Sequence, residues 1–186
     1  MYNVFSSFLS EHQFEFNLDE MKKDILNTKS KTAGKVISNY GGWQGPSLEQ
    51  ISKPFIKVFN EIDKIVAGII KELRIKDHVK LHNYWFNVNG KGSFNRPHNH
   101  FGAIVSGVYY IDTPKDSGKL IFKNTYPVHE YYGLNIDGFN QYNSTEWNIQ
   151  PKENLCVLFP SYLTHYVESN LSNKDRISIS FNYGIA

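Results

Sequence analysis

The segment Arg176-Ile177-Ser178-Ile179-Ser180-Phe181-Asn182-Tyr183 decides the fold. Its residues change character at every step. Side chains of a strand project with a period of two, so Ile177, Ile179, Phe181 and Tyr183 share one face and Arg176, Ser178, Ser180 and Asn182 the other. The polar face can look into water. Alternatively it can line the inside of a barrel whose apolar outer face is covered by a helix. An arginine and a hydroxyl two residues apart on one strand also form a carboxylate receptor, a bidentate fork with one added hydrogen bond.

Working back from this strand, the chain from Val79 onward reads as β-structure. Candidate strands are 79–89, 101–111, 118–123, 145–150, 154–159, 164–169 and 176–184, rich in β-branched and aromatic residues and separated by turns such as Thr113–Gly118. So many short strands suggest a sandwich, jelly roll or barrel. Residues 124–144 are too long for a hairpin turn and read either as a lid or as an insertion without function. They carry Tyr126, Tyr131, Tyr132, Phe139 and Tyr142, with Glu130 and Asp137 as their charged residues. His129, in the same stretch, could touch a substrate.

Before Val79 the pattern is helical. Leu18, Met21, Ile25 and Leu26 follow helical spacing, with Asn17 and Glu20 placed as a capping box. Ser38–Pro46 reads as a loop from its glycines and proline. An apolar stripe then runs through Leu48, Ile51, Phe55, Phe59, Ile62, Val66, Ile69 and Leu73. Pro54 puts the true helix start near Ser52, or a kink at the proline. Such a stripe suits packing onto a sheet, and an exposed part of it could pair two subunits in a homodimer. The expectation is one domain over 1–186: helical support at about 14–74, a β core at about 79–186, and a lid-like insertion at about 124–144.

Composition limits the function. The chain has 186 residues, 40% hydrophobic and 20% charged, which suits a globular core. A net charge of +2 gives no reason to expect a nucleic-acid partner. The single cysteine, Cys156, sits in an apolar run; it excludes an internal disulfide framework and reads as a small buried hydrophobe. The opening residues do not resemble a signal peptide, and no apolar run approaches the roughly 20 residues of a membrane span. The expected location is therefore cytoplasmic.

Seven histidines offer metal chemistry. His98 and His100, in Pro97-His98-Asn99-His100, would point the same way on an extended strand and could close on one ion. His165 follows a proline corner at the start of another candidate strand, ahead of the Arg176–Ser178 receptor. Together these give a metal held by His98, His100 and His165 beside a carboxylate receptor. His12, His78 and His82 read as ordinary surface or core histidines. Asp112 lies at the far end of the next strand and is not expected to ligate.

At this point the sequence resembles the iron(II)- and 2-oxoglutarate-dependent oxygenases, in the prolyl-hydroxylase-like branch. Within that branch it is similar to an uncharacterised group found in marine bacteria and phages. The matching stretches are Asn39–Gln44, Trp85–Asn87, His98–His100, Ser106–Tyr110, Phe159–Ser161, His165 and Arg176–Asn182. The resemblance implies a double-stranded β-helix, a jelly-roll variant, backed by N-terminal helices. It implies Fe(II) and 2-oxoglutarate as cofactors, dioxygen as co-substrate, and a small-molecule or peptidyl substrate that is hydroxylated with release of succinate and CO2. His98, His100, His165 and Arg176 would be the catalytic set. Arg176 and Ser178 would receive the distal carboxylate of 2-oxoglutarate, and Asn87 and Ser106 would be further cosubstrate contacts. Trp85 and Tyr109 could line the pocket or pack in the core. The family usually has Asp or Glu where this chain has His100, so a metal here would be held by three neutral ligands, and zinc becomes a more plausible occupant. A cupin-type metal jelly roll with other chemistry, or a non-catalytic binding protein on the same fold, would share much of this pattern. The first has no need of the Arg176–Ser178 receptor, and the intact set of His98, His100, His165 and Arg176 argues against the second.

Overall fold

The computed structural model describes residues 6–125, 127, 130 and 132–186. Tyr126, His129 and Tyr131, singled out above, lie outside the described residues. The elements run β1 (Ser10–Gln13), α1 (Asp19–Lys31), β2 (Asn39–Tyr40), β3 (Trp43–Gln44), a 3₁₀ turn (Lys53–Phe55), α2 (Ile56–Glu72), β4 (Val79–Asn89), β5 (Phe94–His98), β6 (Val105–Asp112), β7 (Leu120–Lys123), β8 (Glu146–Ile149), β9 (Leu155–Pro160), β10 (His165–Val167) and β11 (Arg176–Ile185).

Two sheets form, in strand order β1-β9-β6-β11-β4-β3 and β2-β5-β10-β7-β8. Every pairing is antiparallel, and most neighbours in space are distant in sequence. This is the double-stranded β-helix. The long strand β11 lies between β4 and β6, and its outer face answers the first question the sequence raised. Ile177, Ile179, Phe181 and Tyr183 are buried in one cluster with Val58, Phe59, Ile62 and Val66 of α2. The Phe59 ring meets Phe181 edge-on at 5.7 Å between centroids. The helix stripe thus covers the sheet, and the polar face of β11 is left to the interior. Truncating one such buried ring costs about 3–5 kcal/mol.

Gly107 on β6 faces Phe181 at this seam. A Cβ there would overlap the Phe181 ring and come within 2.9 Å of Leu158 Cδ2. The close approach of β6 to β11 therefore depends on the missing side chain. Cys156 is fully buried and packs as a small apolar residue.

Several local expectations need correction. The capping box does not form: Leu18 is the N-cap of α1 and contributes no side-chain hydrogen bond. Asn17 Oδ1 instead accepts from the Asp19 backbone N–H at 2.9 Å, a local turn that competes with capping. The second helix is shorter than its stripe. Leu48 exchanges backbone hydrogen bonds with Tyr84, and Pro54 sits in the first turn of the 3₁₀ segment, where its missing N–H is harmless. The Ser38–Pro46 loop contains two short strands, β2 and β3, reversing at Gly41 with φ 70°.

The strand expected at 101–111 begins only at Val105. The stretch before it holds an unforeseen strand, β5. Its sequence hides it, because Arg96 and Pro97 interrupt any apolar pattern. Between the pairs His98–His165 and Asn95–Val167 the register slips, so two residues of β5 face one of β10. A bulge of this kind accommodates a proline.

Candidate functional site

The smaller sheet brings the three histidines together. His98 ends β5, and His165, the first residue of β10, lies directly opposite it. His100 lies beyond the strand end rather than on an extended strand as the spacing suggested; its backbone N–H is held by Ser161 O at 2.9 Å. The rings still converge. Centroids are 4.4 Å apart for His98 and His165, and 5.1 Å for His100 with either partner. One ligand nitrogen from each falls within 4.8 Å of the others.

Two of the rings are fixed by backbone. His98 Nδ1 lies 2.7 Å from Arg96 O, and His165 Nδ1 lies 2.8 Å from Leu163 O. A carbonyl can only accept, so Nδ1 carries the proton in both and Nε2 offers its lone pair inward. Outer contacts of this kind orient metal ligands generally. Burial holds all three imidazoles below the ordinary histidine value, and neighbouring ring charge lowers two further: His100 to about 4 and His165 to about 3. They are therefore neutral at pH 7. Three neutral, converging nitrogen donors fit a divalent transition-metal ion. Among the described residues no carboxylate joins them. Asp112 instead pairs with Lys22, and Glu168 accepts from the Lys119 backbone N–H at 3.0 Å.

A narrow cavity of about 60 Å³ runs from the histidines to Arg176, lined also by Asn87 and Ser178. Arg176 is 2% exposed. Its Nη1 donates to the carbonyls of Ser117 and Gly118, and no carboxylate pairs with it among the described residues. A buried cation without an acid is costly unless an anionic ligand completes it. Asn87 Nδ2 donates to Ser180 Oγ at 3.0 Å. Ser106 is not brought to this cavity: its buried hydroxyl is committed to Ser161 Oγ and Asn182 Oδ1, at 2.9 and 2.7 Å. Trp85 lines the cavity, whereas Tyr109 is fully buried in the core.

Two further residues come from strand order. Tyr110 on β6 sits opposite Ser178 and lines the same cavity. Burial pushes its phenol up to about 12, so it stays protonated. Its hydroxyl has no hydrogen-bond partner among the described residues and is free to donate. Gln44 on β3 sits opposite Asn87 and is 7% exposed. Its side-chain amide also lacks a partner among the described residues. It lines both this cavity and a wider one of about 470 Å³ that also borders His98 and His100. None of the described residues of 124–144 lines either cavity.

Residues 83–182 match the family model described as "Putative 2OG-Fe(II) oxygenase". The chain belongs to the 2OG-Fe(II) oxygenase family. Its cofactors are accordingly Fe(II) and 2-oxoglutarate, and it is a 2-oxoglutarate-dependent dioxygenase. The oxygenase fold is shared with a prolyl-4-hydroxylase from Pseudomonas putida, with 16% identity, TM-score 0.69, and 96% of this chain and 92% of that chain covered. HygX from Streptomyces hygroscopicus, solved with nickel and 2-oxoglutarate bound, is similar at 15% identity and TM-score 0.63, covering 97% of this chain and 84% of that one. A Trichoplax adhaerens prolyl hydroxylase, in complex with a hypoxia-inducible-factor peptide fragment, gives 15% identity and TM-score 0.65 over 95% of this chain and 83% of that one. No curated protein matches the oxygenase at the sequence level. No described helix of it is long and apolar enough to cross a membrane.

Proposed function

We propose that the chain is a single-domain hydroxylase in which His98, His100 and His165 hold Fe(II) and Arg176 receives the distal carboxylate of 2-oxoglutarate. Ser178 and Tyr110 assist Arg176 by donating hydroxyl hydrogen bonds, and Asn87 flanks the cosubstrate. Bound iron with 2-oxoglutarate supplies the oxidising chemistry: one oxygen atom of O2 enters the substrate C–H bond, and the other enters succinate as CO2 leaves. The substrate is a small molecule or a peptidyl side chain.

The chain's own residues do the positioning. His98 and His165 present Nε2 because backbone carbonyls hold their Nδ1 protons. Arg176 is fixed by two carbonyls at one corner of its guanidinium, leaving the rest of the fork for a carboxylate. Phe159 packs edge-on against His165 at 4.7 Å and Phe122 lies at 6.0 Å, so water is kept from that side.

The observation that carries this reading is the buried Arg176, which no acid pairs among the described residues, in one cavity with three converging neutral histidines. A metal jelly roll without 2-oxoglutarate has no use for such an arginine. The test is succinate formation by iron-loaded protein supplied with 2-oxoglutarate and O2. Turnover that disappears in Arg176→Gln supports the assignment; wild-type protein that neither binds nor consumes 2-oxoglutarate overturns it.

A further inference from the structure

The wider cavity shares His98, His100, Trp85 and Gln44 with the narrow one but is not lined by Arg176, and its charges are one-sided. Lys35 and Arg96 line it, and among the described residues no acidic one does. Neither cation pairs with a carboxylate among the described residues. The Arg96 guanidinium is steadied over the Tyr40 ring, 6.0 Å from its centroid. Gln44, more than nine-tenths buried, turns an unpartnered amide to the same space. Asn83 and Asn182 add amide groups, joined by a 3.2 Å hydrogen bond from Asn182 Nδ2 to Asn83 Oδ1 that leaves Asn83 Nδ2 free. The indole of Trp85, 5.7 Å from the His100 ring, supplies an apolar wall. At about 470 Å³ the space suits a small molecule.

The metal centre adds to this bias. A ligand set with His100 in place of a carboxylate is one negative charge short. The centre is therefore more positive than one with a carboxylate ligand, and it favours an anion nearby.

We propose that this cavity selects an anionic small-molecule substrate, carrying a carboxylate or phosphate group that Lys35 and Arg96 receive and an amide or hydroxyl that Gln44 pairs. The inference rests on the assignment of the histidine cluster as the metal centre. It adds the class of molecule presented there. The two cations are exposed, so they act through capture and orientation, and their effect weakens with salt.

The test uses the full chain loaded with zinc, which has no redox chemistry, and saturated with 2-oxoglutarate so that the cosubstrate cavity is filled. Probes are matched acids and neutral counterparts: phenylacetate with phenylacetamide, hippurate with hippuramide, and phenyl phosphate with benzyl alcohol. Binding is read from the shift of the Trp85 indole N–H resonance in ¹⁵N-labelled protein. At least one acid should bind about tenfold more tightly than its neutral partner, and the Lys35→Gln/Arg96→Gln double variant should remove that preference while leaving the neutral probe unchanged. Carboxylate against phosphate preference identifies the anion. Equal binding of acids and neutrals, no acid binding at millimolar concentration, or a preference that survives the double variant would overturn the proposal. Failure of 2-oxoglutarate to bind the wild-type protein would show up separately, as failure of the functional reading itself.

Discussion

His100 Nε2 and His165 Nε2 lie 3.3 Å apart, and both residues line the narrow cavity. With metal–nitrogen distances of about 2.1 Å, one ion can touch both. In the neutral His165 ring Nε2 carries no proton, because Nδ1 holds the one proton and donates it to Leu163 O. The pair is therefore poised either to share the one proton available to His100 or to share a metal. Replacing either residue by Ala should weaken divalent-metal binding by about 100-fold or more, and anaerobic titration with Fe(II) or Co(II) measures it. Unchanged affinity in His100→Ala would leave only a two-histidine site.

The same burial makes the metal-free protein acid-sensitive. Folded His100 and His165 take protons only near pH 4 and 3, whereas an unfolded histidine takes one near 6.5. Below about pH 6.5 the unfolded chain therefore binds protons that the folded chain refuses, and stability falls as pH drops toward 4. Thermal midpoints of the metal-free protein between pH 7 and pH 5 should show the decline, and His165→Gln should flatten it. A midpoint independent of pH over this range would contradict the burial of these rings.

Arg176→Gln should weaken 2-oxoglutarate binding about 10- to 150-fold, the range for hydrogen bonds to a charged group. Tyr110→Phe should weaken it less, about tenfold, because one neutral donor is lost. Calorimetric titration of zinc-loaded protein reads both. The thermal midpoint without cosubstrate separates a receptor from a structural arginine. Removing a buried charge that no acid pairs among the described residues relieves a desolvation cost, and this offsets the lost bonds to the Ser117 and Gly118 carbonyls, so Arg176→Gln should leave the midpoint nearly unchanged.

Both halves of the architecture were legible because two clean periods are written into the chain. The period-two alternation of β11 and the helical stripe of α2 are complementary surfaces, and they bury each other. The histidines and Arg176 were legible because chemistry-bearing side chains stand out from their neighbours. β5 was hidden because Arg96 and Pro97 break the apolar pattern at a bulge, and pairing with β2 and β10 makes it a strand regardless. Tyr110 and Gln44 lie in stretches that match the family, yet neither stands out there as a site residue, for a different reason. Each is defined by the residue across the ladder, Ser178 for Tyr110 and Asn87 for Gln44, and the order β6-β11-β4-β3 is not contained in either local sequence. Ser106 illustrates the converse: it lies on the right strand, but its hydroxyl is committed to Ser161 and Asn182.

The seam between β6 and β11 links stability to the site. Gly107 faces Phe181 there, and a methyl group would overlap the Phe181 ring and press on Leu158. Neither neighbour can move freely, since Phe181 and Leu158 are both fully buried. Gly107→Ala should therefore destabilise the fold by about 1–3 kcal/mol, the usual range for overpacking. Shrinking the ring should recover part of the loss, so the double variant Gly107→Ala/Phe181→Leu should lie above the sum of the two single effects in a denaturant-unfolding cycle. Tyr110 follows on the same strand and pairs with Ser178 across this seam. Strain at Gly107, whose backbone lines the narrow cavity, should therefore also weaken 2-oxoglutarate binding, although residue 107 has no side-chain group that could bond to the cosubstrate. An alanine variant with full stability would mean that β6 and β11 can separate at this point without cost, and the link from core packing to cosubstrate binding would be lost.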